Sequence, residues 1–222
     1  GSLELHSGTA IWLATYFFAF QIYADFAGYS FIAIGVARFL GINLMFNFKR
    51  PYFAKSFSDF WRRWHISLYD WFRDYIYIPM GGSRVNFLRL LMNIMVVFLI
   101  SGLWHGASLN FVAWGAIHGL YLILALIFAA IYMKLFGKKK IKIPKIVSYI
   151  LVFHLVCFSW VFFRASSIQD ATLAVNKIFN GGIGFSLADL SIGPGLIANF
   201  FTMIFIGIVF AVHFIQEKKG ED

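Results

Sequence analysis

The sequence predicts an all-α, polytopic transmembrane helix bundle. Of its 222 residues, 60% are hydrophobic, 20% are aromatic and only 13% are charged, and the mean hydropathy is +0.76. Soluble domains carry about 25% charged residues. Apolar runs long enough to cross a bilayer recur along the chain, and basic residues collect in alternate connections. We expect 1–222 to form a single membrane domain of a longer protein, because the chain starts without an initiator Met or a signal peptide.

Five apolar stretches are long enough, at about 1.5 Å per residue, to cross a hydrocarbon core of about 30 Å. We predict that these spans cover about 9–36, 87–103, 111–133, 146–163 and 196–215. The second span is short, and the first carries Gln21, Asp25 and Gly28 in its middle. Either of these two spans can therefore be tilted, kinked or partly unwound.

The distribution of basic residues predicts the orientation of the spans. Lys and Arg are concentrated in 38–89, in 138–145 and at the C-terminal end, whereas 104–110 and 164–195 carry almost no excess of positive charge. Cytoplasmic loops collect Lys and Arg, so the chain is expected to start outside and end inside. The net charge of +9 then reflects topology and contact with anionic membrane lipids. We expect no nucleic-acid partner, because the basic residues flank apolar spans.

The segment 57–79, between the first two spans, is too polar to cross the membrane and too aromatic for a plain loop. Ser58 followed by Asp59 can cap a helix here, and Pro79 can end it. Apolar residues recur at helical spacing: Phe60, Trp64, Leu68, Trp71, Phe72 and Tyr75. We predict an amphipathic helix that lies in the cytoplasmic interface or enters the bundle as a re-entrant element.

A second non-spanning helix is predicted at 166–180, after the fourth span. It has a Ser cap, Asp170 in its first turn, apolar residues at helical spacing, and Gly181 and Gly182 at its end. We expect a short exoplasmic surface helix, followed by a loop over 182–194.

Two histidines lie within or beside the predicted spans. His105 follows Trp104 at the join between the second and third spans, and His65 lies in the amphipathic segment. Ionisable groups at membrane depth are costly and indicate function by default. Imidazole, with an ordinary pKa of about 6.5, can take a proton from a hydroxyl and return it later. If the segment is re-entrant, His65 can approach His105. The alternative is a packing role for His105 and an ordinary interfacial position for His65.

Other polar residues in the apolar regions have structural interpretations as well. Asp25 needs a partner, because an isolated carboxylate in hydrocarbon is protonated or paired. We predict an ion pair of Asp25 with Arg73, Arg62 or a histidine, and the alternative is that Asp25 lines a polar tunnel. His118, inside the third span, is interpreted as a hydrogen-bonding residue of helix packing.

Several classes of chemistry lack support in the sequence. It contains no Walker phosphate-binding loop, no Gly-x-Ser-x-Gly elbow and no His-Glu-x-x-His metal motif. The single cysteine, Cys157, cannot form an intramolecular disulfide and lies in an apolar run, where it is expected to pack. We predict no metal and no tightly bound cofactor, although spacing alone leaves a two-histidine metal site open.

Several long motifs, in a fixed order, make the chain similar to a known family. They are Gln21–Ser30, Asn47–Tyr52, Phe60–Leu68, Trp71–Pro79, Gly81–Arg84, Gly102–Ala107 and Trp114–Gly119, with a weaker match at Trp160–Ala165. In these motifs the chain resembles the membrane-bound O-acyltransferases (MBOAT), and within them the bacterial branch typified by alginate O-acetylase. Members of that family are longer than this chain, which resembles their C-terminal part.

The resemblance implies transfer of an acyl group, expected to be acetyl, from a cytoplasmic thioester towards hydroxyls of an extracytoplasmic, alginate-like polysaccharide. The donor is expected to be acetyl-CoA or an acyl carrier protein. A periplasmic or extracellular acyltransferase is the expected partner, and the bacterial cytoplasmic (inner) membrane is the expected location.

The resemblance also implies roles for individual residues. His105 resembles the principal histidine of the family, expected to be a general base, and His65 resembles its second histidine. Residues expected to bind substrate are Asp25, Trp64, Arg73, Asp74, Trp104 and His118.

Two other functions remain open at this point. A related branch of the family transfers D-alanine to teichoic acid, although the stretch 76–82 favours the acetylase branch. A transporter or membrane scaffold is the alternative from another class, with Asp25 and the histidines lining a permeation route.

Overall fold

Five long apolar helices dominate the computed structural model, which describes residues 6–137, 143–182, 184 and 196–220. They are α1 (Gly8–Phe39), α4 (Phe87–His105), α5 (Leu109–Phe136), α6 (Lys145–Arg164) and α8 (Leu196–Lys219). Each is long and apolar enough to cross a membrane. Within the described ranges the chain has no strand beyond an isolated bridge between Phe48 and Trp64. The predicted all-α, membrane-spanning fold class is therefore confirmed.

Shorter helices connect the long ones. Between α1 and α4 lie a 3₁₀ turn (Pro51–Phe53), α2 (Phe57–Trp61), α3 (Ile66–Phe72) and a π-helical turn (Arg73–Tyr77). After α6, α7 (Ile168–Asn180) begins at Ser167, whose hydroxyl accepts a hydrogen bond from the Asp170 amide. This is the surface helix expected from the sequence. The predicted loop at 182–194 lies outside the described residues, apart from Gly182 and Gly184, and so do the basic residues of 138–142.

The prediction of one continuous helix over 57–79 is wrong. The chain leaves the helix after Trp61 and starts a new one at Ile66, and His65 between them has left-handed backbone angles, φ 47° and ψ 53°. The first piece is capped by Ser56, which accepts from the Asp59 amide, and not by Ser58. Apolar spacing is the same for one helix and for two short ones, so periodicity did not reveal the break.

Glycines bring α4 and α5 into unusually close contact. A Cβ atom on Gly115 would lie 2.2 Å from the carbonyl oxygen of Phe98, and one on Gly102 would lie 2.4 Å from that of Phe111. Side chains larger than hydrogen cannot fit against backbone at these distances. Small residues allow membrane helices to pack backbone to backbone in this way. The crossing fixes the C-terminal end of α4, where His105 lies, against the start of α5.

Ion pairs attach the C-terminal end of α8 to the segment between α1 and α4. Glu217 accepts hydrogen bonds from Arg63, at 2.8 Å, and from Arg50, at 3.2 Å. The three side chains are only 11–16% exposed. His213, one turn earlier, lies 3.1 Å from the Tyr23 hydroxyl of α1. This attachment was not predicted, because the partners are far apart along the chain.

We expect Glu217→Gln to destabilise the full-length protein by about 1–3 kcal/mol, because Arg50 and Arg63 lose their shared carboxylate in a poorly solvated place, although Arg63 keeps its ion pair with Asp59 at 2.8 Å. Thermal unfolding in detergent measures the effect. Asp74→Asn is the matched control: it also breaks an arginine pair, but Arg73 and Asp74 lie at the surface, so we expect little change. Equal unfolding temperatures for Glu217→Gln and the wild type would contradict the attachment.

Candidate active site

A short backbone pairing holds His65 in place. The Lys49 amide donates to the Arg63 carbonyl at 2.9 Å, and the Ile66 amide donates to the Asn47 carbonyl at 3.1 Å. The side-chain oxygen of Asn47 also accepts from the amide and the hydroxyl of Ser67. These bonds compensate the left-handed backbone of His65, which costs a non-glycine residue on the order of 1–3 kcal/mol. The pairing therefore holds His65 in a backbone conformation that a non-glycine residue seldom adopts.

The imidazole of His65 lies between α1 and α4. Its ring centroid is 4.6 Å from that of Phe26 and 6.2 Å from that of Trp104. Its Nδ1 atom is buried and has no hydrogen-bond partner among the described residues. Burial lowers the pKa of His65 to about 4, and the nearby His105 acts in the same direction. His65 is therefore a neutral imidazole at physiological pH.

A titration checks this protonation state. Because the charged form is disfavoured, the neutral ring should persist as the pH falls below about 6.5, the ordinary value, and be lost only near pH 4. NMR of the full-length protein with ¹³C-labelled histidine measures the midpoint, and His65→Asn assigns the signal. A midpoint between about 6 and 7 would contradict the buried position.

His105 ends α4 inside a shell of aromatic rings. Its ring centroid lies 4.9 Å from Trp104, 5.0 Å from Trp114 and 5.1 Å from Phe163, all in edge-on geometry. A Cβ atom on the following residue, Gly106, would lie 2.6 Å from the Phe111 ring, so a larger residue there would require that ring to move. His105 is only partly buried. The shell thus holds the imidazole on three sides and leaves part of it accessible.

Trp104 joins the two histidines. Its indole contacts both imidazoles, and it is 57% exposed. His65 lies on a non-spanning segment and His105 ends a span forty positions later, and the two meet at this one aromatic side chain. Two neutral bases or hydrogen-bonding groups can act on one substrate in this arrangement.

The other predicted substrate-binding residues lie in different environments. Trp64 and His118 are buried in the core, at 5% and 0% exposure. Arg73 and Asp74 form an exposed ion pair, in which the hydrogen bond from Arg73 lowers the pKa of the Asp74 carboxyl. Of the six predicted residues, Trp104 alone is observed in ring contact with either histidine within the described residues.

The prediction of an ion pair for Asp25 is wrong within the described part of the chain. Arg73 pairs with Asp70 and Asp74, and Arg62 donates to Ser58. The Asp25 side chain is exposed on α1, although the ring of the next residue, Phe26, contacts His65. A helix places successive side chains about 100° apart, so neighbours in sequence face different surroundings.

Sequence reasoning missed Trp114 and Phe163, which complete the shell around His105. Both are aromatic residues in apolar spans, but they lie in two of the motifs that carry the family resemblance, Trp114–Gly119 and Trp160–Ala165, and that membership is the signal that could have selected them. Asn47 was also missed as a residue that holds the His65 segment. Asn47 begins the motif Asn47–Tyr52, just before the turn at Lys49, Arg50 and Pro51, and this position could have suggested a structural role.

A crevice of about 1400 Å³ lies on the far side of this shell. It is bounded by α1, α6, α7 and α8, and Trp160 forms part of its wall. Trp160 stacks on Trp114 and contacts Phe163. Neither His65 nor His105 lines the crevice, and Trp160 is the residue of its wall that contacts the shell around His105.

Comparison with known proteins identifies the family. The sequence model of the MBOAT, membrane-bound O-acyltransferase family, matches residues 2–168. The chain belongs to this family. Both histidines and the whole aromatic shell lie within the matched range.

Three curated relatives of this MBOAT chain are named as acyl-transferring proteins. It is 42% identical over 180 residues to a peptidoglycan O-acetyltransferase of Helicobacter pylori, covering 81% of this chain and 33% of the relative. It is 39% identical over 171 residues to a probable alginate O-acetylase AlgI of Pseudomonas aeruginosa, covering 77% and 32%. It is 29% identical over 163 residues to a teichoic acid D-alanyltransferase of Bacillus subtilis, covering 68% and 40%. The chain spans about a third of the length of the first two relatives.

Proposed function

We propose that this domain, within the full-length MBOAT protein, transfers an acetyl group from a cytoplasmic thioester to hydroxyls of an extracytoplasmic polysaccharide. The observation that carries the proposal is the meeting of His65 and His105 at Trp104 inside an aromatic shell. The similarity to two O-acetyltransferases supports the choice of acetyl.

His105 acts as the general base in this proposal. Its free ring nitrogen takes the proton of the acceptor hydroxyl as the oxygen attacks the thioester carbonyl carbon. The tetrahedral intermediate then collapses, the C–S bond breaks, and the imidazolium returns the proton to the leaving thiolate. The products are the ester and the free thiol, and the histidine is regenerated.

His65 acts on the carbonyl oxygen. A neutral imidazole carries one N–H, and from its place beside Trp104 and near His105 it donates a hydrogen bond to the negative charge that develops on that oxygen. Such a donor is most effective where water is excluded, and the surrounding rings of Phe26, Trp104, Trp114 and Phe163 limit water access. The same exclusion protects the donor thioester from hydrolysis.

The proposed topology places the donor on the basic side of the membrane. The domain then lies in the inner membrane of a bacterial cell. The connection from α1 to α4, with Arg50 and Arg63, faces the cytoplasm, and so does the C-terminal end of α8 that is attached to it. Acetyl-CoA or an acyl carrier protein supplies the acetyl group there, and a periplasmic acyltransferase can receive it on the opposite side. Because Glu217 holds Arg50 and Arg63, other basic residues have to bind donor phosphates.

Purified full-length protein in proteoliposomes tests the function. With acetyl-CoA labelled in the acetyl group and an oligosaccharide acceptor, we expect release of free CoA thiol that depends on the acceptor, and label in base-labile ester linkage. A transporter would bind or move substrate without thiol release. That outcome would refute the proposal.

D-alanyl transfer is the second candidate, since the chain is also similar to a teichoic acid D-alanyltransferase. The chemistry at the two histidines would be the same, with a D-alanyl thioester of a carrier protein as donor. Parallel assays with the two donors separate the candidates.

A further inference from the structure

His118 lies at the centre of the helix packing beneath the candidate site. It is fully buried on α5, and its Nε2 atom is 2.8 Å from the Ser159 hydroxyl of α6. That hydroxyl donates its single proton to the Val156 carbonyl at 2.7 Å. The imidazole therefore donates from Nε2 to Ser159, which defines its tautomer and the orientation of its ring.

His118 contacts the elements that carry both candidate catalytic histidines. Its ring centroid is 5.0 Å from Trp114, which lies one helical turn earlier on α5. The Trp114 indole in turn is 5.0 Å from His105. On another side, His118 is 4.9 Å from Trp61, the last residue of α2 before the break that carries His65.

We infer that His118 is a positioning residue: bonded to Ser159, it holds Trp61 and Trp114 at a fixed separation and thereby sets the relative placement of His65 and His105. The expected effect on the reaction rate rests on the proposed acyl transfer. The placement of the two histidines by His118 does not depend on that function. The Trp61 and Trp114 rings also touch each other at 5.8 Å, so a displacement of His118 disturbs both together. A misplacement of about 1 Å in an active site lowers rates about 100-fold.

The test compares variants of the full-length protein. His118→Leu removes the hydrogen bond and keeps an apolar side chain, and His118→Gln keeps an N–H donor that can reach Ser159. His154→Leu is the matched control, since His154 is another mid-span histidine, but it is exposed and bonds the Ile150 carbonyl of its own helix. We expect kcat to fall about 10- to 100-fold in His118→Leu with an unchanged KM for the thioester, and to recover in part in His118→Gln.

A second readout is independent of catalysis. Diethyl pyrocarbonate modifies accessible neutral imidazoles, and peptide mass spectrometry gives the rate at each histidine. We expect both His65 and His105 to react several-fold faster in His118→Leu, and at the wild-type rate in His154→Leu. If the wild type transfers no acyl group, the proposed function fails, but these rates still test the positioning role.

The inference would be overturned if folded His118→Leu kept kcat and both modification rates within about twofold of the wild type. If His118→Leu does not fold, Ser159→Ala, which removes the hydroxyl that accepts from His118 together with its bond to the Val156 carbonyl, takes its place. Unchanged kcat and unchanged modification rates in Ser159→Ala would overturn the inference equally.

Discussion

Replacing His105 with alanine is expected to abolish acyl transfer by the full-length protein. A general base contributes about 10²–10⁴-fold to a rate. Among the described residues, the other candidate base, His65, is in ring contact with Trp104, and its backbone is held in the left-handed position by the pairing with Asn47 and Lys49. We therefore expect kcat to fall by the full factor.

Thiol release from acetyl-CoA measures this loss, and thermal unfolding shows whether the variant stays folded. His105→Gln provides a second variant of similar volume, in case alanine leaves a cavity within the aromatic shell. His154→Ala is the matched control, because that histidine bonds its own helix outside the shell, and its activity should equal that of the wild type. Near-normal transfer by both His105 variants would exclude the role of general base.

The sequence was sufficient for the long helices because a membrane imposes strong constraints on composition. A stretch such as α5 has to be apolar over its whole length, and its ends are marked by polar or basic residues. The predicted spans and the observed helices accordingly differ mainly at their ends. Helix α4 continues as far as His105, and α5 extends to Phe136, because local hydrogen bonding continues beyond the most apolar residues.

The segment between α1 and α4 could not be predicted in the same detail. Its break at His65 depends on the pairing of Asn47 and Lys49 with residues that lie fourteen or more positions later. Periodicity within a short window contains no information on such a contact. The same limit applies to Glu217, whose partners Arg50 and Arg63 are more than 150 residues away.

The site itself was predicted in part. The two histidines and Trp104 were selected from the sequence, by ionisable character in an apolar setting and by family resemblance, and the structure brings their rings together. Their catalytic roles remain predictions. A polar residue in an apolar span, such as Asp25 or His118, can face a site or the core. Which of the two it faces depends on the side of its helix that packs against other helices, and the sequence of a uniformly apolar helix does not reveal that side.

The close crossing of α4 and α5 gives the second large prediction. Gly115→Ala adds one carbon atom at a point 2.2 Å from the Phe98 carbonyl oxygen and 3.3 Å from the Cα atom of Gly102. Backbone atoms cannot move out of the way as a side chain can, so the helices have to separate. We expect a loss of about 1–3 kcal/mol in stability from overpacking. Because the crossing positions His105, we also expect acyl transfer to fall about 100-fold.

Gly28→Ala is the matched control for this change. Gly28 is also a glycine inside a spanning helix, but apart from its chain neighbours and the nearby backbone of its own helix, no atom of the described chain lies within 4 Å of its ideal Cβ position. Alanine there should be neutral or stabilise helix α1 by up to about 1 kcal/mol. Thermal unfolding and the thiol-release assay on both full-length variants decide the question. If Gly115→Ala matched Gly28→Ala in both measurements, α4 and α5 would not be in backbone contact, and the placement of His105 against Trp114 would lose its structural basis.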